Sequence, residues 1–338
     1  MARRPHRTGK GDAAVTTGDT RAVEASEDLL RPFEHPATLL MSVLGEYWWE
    51  RPEPLPSASL VELLRLFGVP EAAARATLSR MARRGLLDVE RRGRRTFYAL
   101  SARAAQVLRD GAVRIFGFGA EDLGWDGRWS LVAFSVPEEN RRLRDVLRDR
   151  LRWLGFASLY DGVWVTPHDR VEAALRTLAE LGVPTVSAFR AVHRTLADSA
   201  AGGPERAWDL QSLRAEYDWF IVRARSILQR ARSGVMEPGD ALVSRTFLTQ
   251  LWSGFSTRDP QLPVELLPDD WPRKDARELF ALGYEELGPR AAAEFARIVE
   301  DLAPELAGLV GFQTTAESVL GIYGGKPGAA EAVSPFAG

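Results

Sequence analysis

Between residues 38 and 100 the spacing of the apolar residues changes once, and this change constrains the fold more than any other feature of the sequence. In three segments before Gly85, apolar residues recur every three or four positions, which is the period of one helix face. After Gly85, two short strand-like runs flank the turn Arg-Arg-Gly-Arg. Three helices followed by a β-hairpin predict a winged helix-turn-helix domain over residues 36–116, which ends in one further helix.

Arginine is concentrated in the third of these helices and in the hairpin. Residues 75–95 contain eight arginines and two acidic residues, although the whole chain carries a net charge of −2. A winged helix places its third helix in the major groove of DNA and its hairpin beside the phosphate backbone. We therefore predict that this domain binds double-stranded DNA. The alternative is a solvated basic surface that binds nothing. That alternative does not explain why the arginines occupy both the third helix and the hairpin.

The candidate DNA contacts fall into two groups. Residues on the groove side of the third helix are placed to read base edges, because a guanidinium group donates two parallel hydrogen bonds to guanine. Residues around the hairpin tip are placed to neutralise phosphates, and Gly93 permits the tight turn there. The predicted DNA-contacting residues are Arg75, Thr77, Ser79, Arg80, Arg83, Arg91, Arg92, Arg94 and Arg95.

A second unit is predicted over residues 128–196. Its apolar runs and charged helical segments follow the order strand, helix, strand, strand, helix, strand, which is that of a ferredoxin-like βαββαβ domain. The two central strands turn at Asp161-Gly162, and Asp169 is placed to cap the helix that follows them.

The third unit, residues 205–322, is predicted to consist of helices, with breaks at 234–239 and 258–274. The overall fold class is therefore α+β, with a helical C-terminal domain. Aromatic residues at helical spacing usually form a core, and the alternative here is a ligand pocket. If this domain is regulatory, the candidate effector contacts are Arg245 and Trp252.

The sequence lacks residues that several classes of protein require. The chain has no cysteine, its four histidines are scattered without metal-like spacing, and it carries no common nucleotide-binding or hydrolase motif, so we expect neither a metal nor a cofactor. No apolar run is long enough for a membrane span or a signal peptide, which predicts a cytoplasmic location. Residues 1–35 have no apolar period and are expected to form a disordered tail.

Short motifs in a fixed order make the chain resemble the PaaX-type repressors of phenylacetate catabolism from about Pro36 to Ala303. The resemblance implies a homodimer that leaves its operator when an aryl-acyl-coenzyme A binds, with the ferredoxin-like domain as a dimerisation scaffold. It also implies DNA contacts by Arg75, Ser79, Arg80, Gly93 and Arg94. The motifs are Leu44-Gly-Glu-Tyr, Phe67-Gly-Val, Arg75-Ala-Thr-Leu-Ser-Arg-Met, Gly93-Arg-Arg-Thr-Phe-Tyr-Ala-Leu, Trp208-Asp-Leu, Arg258-Asp-Pro-Gln-Leu-Pro and Leu266-Leu-Pro-Asp-Asp-Trp.

Two departures from the family pattern bear on the function. The third unit has Gln250-Leu-Trp-Ser-Gly-Phe where the family carries a histidine followed by an aromatic and basic pair, so the effector is expected to differ. The leading prediction is an effector-released repressor, and the alternative is an enzyme of an acyl-coenzyme A or natural-product pathway built on the same scaffold. A ferredoxin-like nuclease is disfavoured, because Ser135 stands where such enzymes carry an acidic metal ligand.

Overall fold

The structure, a computed structural model, describes residues 35–120, 124–183, 185–194, 203–315 and 318. These residues form an α+β fold with one three-stranded and one four-stranded antiparallel sheet. The predicted disordered tail lies outside the described residues, apart from His35. None of the helices in the described ranges is long and apolar enough to cross a membrane.

The N-terminal part contains the three helices and the hairpin that the sequence predicts, with a fourth helix after them. Its elements are α1 (Pro36–Tyr47), β1 (Leu55–Pro56), α2 (Ser57–Leu66), α3 (Glu71–Arg83), β2 (Leu87–Arg92), β3 (Arg95–Leu100) and α4 (Ala102–Gly117). The short strand β1, which sequence analysis did not predict, pairs with β3 to give the sheet order β1-β3-β2.

Glycines follow the ends of both α2 and α3. Gly68 and Gly85 adopt positive φ angles of 79° and 68°, a backbone conformation that favours glycine. The hydroxyl of Ser101, the N-cap of α4, donates to the carbonyl oxygen of Gly85 at 2.8 Å and accepts from the amide of Ala104 at 3.1 Å. The bond between Ser101 and Gly85 ties the start of α4 to the end of α3.

The middle part is a four-stranded sheet with two helices packed against one face. Its apolar core includes Val132, Leu147, Leu151, Trp164 and Leu178. The strand order is β5-β6-β4-β7, and every neighbouring pair is antiparallel. The elements are β4 (Trp129–Ser135), α5 (Arg141–Trp153), β5 (Ala157–Tyr160), β6 (Val163–Thr166), α6 (Val171–Glu180) and β7 (Thr185–Ala191).

The predicted cap of α6 by Asp169 is wrong. Arg170 occupies the N-cap position, and no side chain caps this helix. The backbone amide of Arg170 instead donates to the hydroxyl of Ser130 at 3.2 Å, so a side chain from β4 holds the start of α6. The side chain of Asp169 is left exposed.

The C-terminal part is helical, and the observed breaks match the predicted ones. Its helices are α7 (Leu210–Arg232), α8 (Pro238–Arg258), α9 (Arg273–Glu300) and α10 (Pro304–Ala307). Its aromatic residues pack closely: the ring of Trp252 stacks on that of Phe280 at 5.2 Å, and the ring of Tyr217 stacks on that of Phe255 at 4.2 Å.

The N-terminal and C-terminal helices share one hydrophobic core. Tyr47 and Trp48, at the end of α1, lie 5.8 and 6.3 Å from Phe295 of α9, measured between ring centroids. Leu242 of α8 and Ala291 of α9 belong to the same cluster of buried residues. Residues more than 190 positions apart in sequence therefore stabilise the helices that carry the arginine-rich segment.

Candidate nucleic-acid interface

The outer face of α3 carries most of the predicted groove contacts. Arg75, Ser79, Arg80 and Arg83 are all exposed, at positions that share one side of a helix. The opposite side of α3 buries Ala74, Thr77, Leu78 and Met81, which fixes the orientation of the helix on the domain. Arg75 forms an exposed ion pair with Glu71 at 2.8 Å.

Thr77 is a correction to the predicted DNA contacts. Its side chain is 1% exposed and donates a hydrogen bond to the carbonyl oxygen of Ala73 at 2.8 Å, so it cannot reach a base edge. The same hydroxyl accepts a hydrogen bond from Nη2 of Arg80 at 2.9 Å. Thr77 therefore positions Arg80 instead of contacting DNA itself.

Replacing Thr77 with valine is expected to weaken DNA binding without changing the fold. The side chain keeps its shape but loses the oxygen that anchors Arg80, and one hydrogen bond contributes about 0.5–1.5 kcal/mol. A fluorescence-anisotropy titration should therefore show operator affinity lowered by roughly 2- to 10-fold. Thr177→Val, on α6, is the matched control, and equal affinities for the two variants would contradict the positioning role.

The hairpin presents the second group of arginines. Strands β2 and β3 pair with Arg92 opposite Arg95, and Gly93 makes the turn with a φ of 60°. All four hairpin arginines are exposed, but they are not equivalent. Arg92 stacks over the ring of Phe97 at 4.6 Å and pairs with Glu90 at 2.7 Å.

Arg91, Arg94 and Arg95 form no ion pair with any residue that the structure describes. These three side chains are therefore available to phosphates without breaking an internal contact. Sequence analysis did not single out Arg103, whose guanidinium donates to the carbonyl oxygen of Arg84 at 3.2 Å beside the end of α3. Its position follows from the hydrogen bond that ties Ser101, at the start of α4, to Gly85, which the local sequence pattern does not reveal.

We call Arg75, Ser79, Arg80, Arg83, Arg91, Arg92, Arg94 and Arg95 the helix-hairpin unit. The unit combines an exposed helix face with a turn that carries exposed cations. Long exposed guanidinium groups on such elements suit a partner with regularly spaced negative charge.

Arg245, predicted as an effector contact, is a buried structural residue. Its side chain is 0% exposed and donates to Oε2 of Glu46 at 3.0 Å, to the carbonyl oxygen of Tyr284 at 2.7 Å and to that of Gln313 at 2.9 Å. The guanidinium lies 3.6 Å from the ring centroid of Tyr284, and burial raises the pKa of that phenol to about 12. A guanidinium buried in this way inside the protein is not accessible to a ligand from solvent.

Trp252 is likewise part of the core. It is 1% exposed, and its indole N–H donates to the carbonyl oxygen of Ile115 at 3.0 Å. Two shallow cavities of about 250 and 290 Å³ open on the described surface, and neither is lined by Arg245 or Trp252. Both predicted effector contacts are therefore buried in this structure, and the aromatic residues form core, as their helical spacing favoured.

The structure also places Ser135, which the nuclease alternative depends on. This residue is exposed at the end of β4. Within the described ranges, no group of three or more His, Asp or Glu side chains is arranged to hold a metal ion.

Comparison with known proteins gives matches along most of the chain. Three family models match: "PaaX-like protein" over residues 35–104, "PaaX protein central Cas2-like domain" over 122–201 and "PaaX-like protein C-terminal domain" over 208–297. The transcriptional repressor PaaX of Escherichia coli (strain K12) is 31% identical over 261 residues, which is 76% of this chain and 81% of that protein. Among solved structures, the uncharacterized protein Rv0674 from Mycobacterium tuberculosis is 22% identical, with a TM-score of 0.46, over 75% of this chain and 95% of that one.

Proposed function

This chain belongs to the PaaX family, as its motifs predict, and from this premise we propose that it is a transcriptional repressor that binds operator DNA as a homodimer and is released by a small-molecule effector. The relative of Escherichia coli supports the repressor assignment, because it is aligned over 81% of its length. The single observation that carries DNA binding is the helix-hairpin unit, whose arginines are exposed on two adjacent elements.

The proposed DNA-binding domain, residues 36–116, is a winged helix-turn-helix. The element order and the antiparallel hairpin after α3 support this assignment. In the proposed complex α3 enters the major groove, where Arg75 and Arg80 read guanine edges. Arg91, Arg94 and Arg95 lie along the phosphate backbone, where they add affinity without selecting sequence.

The proposed central domain, residues 128–196, is ferredoxin-like and acts as the dimerisation scaffold. Its strand order, with β4 and β6 at the centre of the sheet, supports the fold assignment. A homodimer presents two copies of α3 to one duplex, so the two half-sites of the operator should lie about 34 Å, or a multiple of this distance, apart. Binding to chromosomal DNA also places the protein in the cytoplasm, with no role for a membrane.

The proposed effector is an acyl-coenzyme A or a related aromatic molecule, and residues 205–322 form the regulatory domain. Release requires the effector to favour the off-DNA state by about 1.4 kcal/mol for each tenfold loss of operator affinity. The shared core supplies a physical connection, because α1 packs directly on α9 and Glu46 of α1 pairs with Arg245 of α8. A rearrangement of the C-terminal helices therefore acts directly on the helices that orient α3.

Replacing Arg94 with glutamine tests the role of the hairpin. If Arg94 neutralises one phosphate per protomer, each variant protomer releases about one fewer counterion. The slope of log Kd against log salt should then fall by about 0.9 per protomer, with affinity lost equally on operator and random DNA. Arg176→Gln, at an exposed position on α6, is the control, and a slope for Arg94→Gln equal to the control's would contradict the phosphate contact.

A further inference from the structure

A cavity in the middle of the chain is lined by cationic side chains that the proposed DNA contact does not use. It has a volume of about 250 Å³ and opens between the end of β6, the start of α6 and the segment that precedes β4. Its lining consists of Gly124, Trp125, Asp126, Pro167, His168, Asp169, Arg170 and Arg190.

Arg190 forms one wall of this cavity and is only partly engaged by the protein. Its side chain is 18% exposed; Nη1 donates to the hydroxyl of Ser130 and the carbonyl oxygen of Pro167, and Nη2 donates to Oδ1 of Asp126 at 2.8 Å. A guanidinium group has five N–H bonds. Three are used here, and the buried Nε has no acceptor among the residues that the structure describes.

Arg170 adds a second cationic side chain to the cavity, whereas His168 does not. Burial lowers the pKa of the His168 imidazole, and the nearby charges of Arg170, Arg190 and Arg273 lower it further, so this ring is neutral near pH 7. Burial also lowers the pKa of Arg170, although its guanidinium remains charged. Of the two carboxylates at the cavity, Asp126 is already paired with Arg190, and Asp169 is exposed to solvent.

We propose that this cavity binds the phosphate or carboxylate group of a small-molecule effector through Arg170 and Arg190. This inference rests on the proposed function, because it locates the effector that releases the repressor. Arginine pairs with such groups through two parallel hydrogen bonds, and Arg190 has two N–H bonds that its three hydrogen bonds to the protein leave unused. Trp125 adds an aromatic wall next to the charged groups.

The size and the position of the cavity determine which part of a ligand it can bind. Pockets for whole drug-sized ligands measure about 300–1,000 Å³, so a cavity of about 250 Å³ takes an anionic group and a short apolar part, with the rest of the ligand outside. One wall, residues 124–126, precedes β4 in the segment after α4. His168 lies 3.4 Å from the carbonyl oxygen of Pro260, after α8. A bound anion thus contacts the segment that joins the N-terminal and middle parts, next to the point where His168 meets the C-terminal part.

The test is calorimetric titration of the full-length protein in chloride buffer with two probes, pyrophosphate and benzoate. We expect saturable binding of at least one probe with one site per chain, and the probe that binds identifies the anionic group. Arg170→Gln should weaken this binding by at least about 10-fold, whereas Arg176→Gln, on the exposed side of the same helix, should leave it unchanged. Asp169→Asn should strengthen it, because it removes a competing carboxylate without removing a cap.

Two further measurements separate this site from the DNA-binding arginines. The double substitution of Arg94 and Arg95 by glutamine should retain probe binding; loss of binding in that variant would place the anion on the hairpin and overturn the proposal. Absence of saturable binding by both probes, or equal binding by Arg170→Gln and wild type, would overturn it as well. If circular dichroism shows Arg170→Gln to be unfolded, the affinity of Asp169→Asn for the probe decides whether the proposal stands.

Operator binding without probe distinguishes failure of this site from failure of the proposed function. Arg170→Gln should bind operator DNA as wild type does. If the wild-type protein binds operator but neither probe, the cavity assignment alone is wrong. If it binds a probe but no operator, the repressor assignment is wrong and the anion site stands.

Discussion

Replacing Arg245 with methionine should lower the free energy of unfolding by about 3–5 kcal/mol, the cost of removing one partner from a buried ion pair. Methionine fills much of the same space, but Glu46 is then left buried without its counter-charge. The carbonyl oxygens of Tyr284 and Gln313 lose a charged donor at the same time. Because Glu46 lies in α1 and Arg245 in α8, the loss should destabilise the N-terminal and C-terminal helices together.

Urea unfolding followed by circular dichroism measures this effect, with Arg225→Met as the control at an exposed position of α7. Replacing both partners, Glu46→Gln with Arg245→Met, should recover part of the loss, because no buried charge remains uncompensated. A change of less than about 1 kcal/mol for Arg245→Met would mean that the pair does not hold the two parts together.

Replacing Arg80 with alanine should weaken operator binding by about 1–3 kcal/mol, which is roughly 5- to 150-fold, and should reduce discrimination against random DNA. Arg80 lies on the exposed side of α3, and the hydrogen bond from its Nη2 to Thr77 holds the guanidinium in place. A base contact made from a fixed position contributes to selectivity, whereas a contact with phosphate contributes equally on every sequence.

The measurement compares the affinities of the variant for operator and for random DNA of the same length. Arg225→Ala provides the control, because this residue is exposed on α7 and lies outside the helix-hairpin unit. An equal loss on both kinds of DNA would place Arg80 on a phosphate, and no loss on either would remove α3 from the interface.

Local patterns were sufficient to predict most elements of this fold. The helical period of apolar residues located α1, α2 and α3, and the glycines at 68 and 85 marked the ends of α2 and α3. The hairpin followed from two short runs around Gly93, whose positive φ only glycine adopts readily. These features depend on residues close in sequence, and they can therefore be predicted from a single sequence.

Contacts between distant residues were the ones that sequence reasoning missed. Arg245 and Glu46 are 199 positions apart, and nothing in either neighbourhood reveals that they meet. Strand β1 has two residues, which is too short for any period to appear. Sequence reasoning predicted Thr77 to lie on the groove side together with Arg75, Ser79 and Arg80, whereas its neighbours in three dimensions bury it.

The most direct test of the account is a fluorescence-anisotropy titration of the purified protein with the DNA upstream of its own gene, at two salt concentrations and beside random DNA of equal length. The account predicts tight binding that is selective for the upstream sequence and weakens steeply with salt, as expected when several arginines displace counterions. Binding no tighter than that to random DNA would contradict the repressor assignment and would favour an enzyme built on the same scaffold.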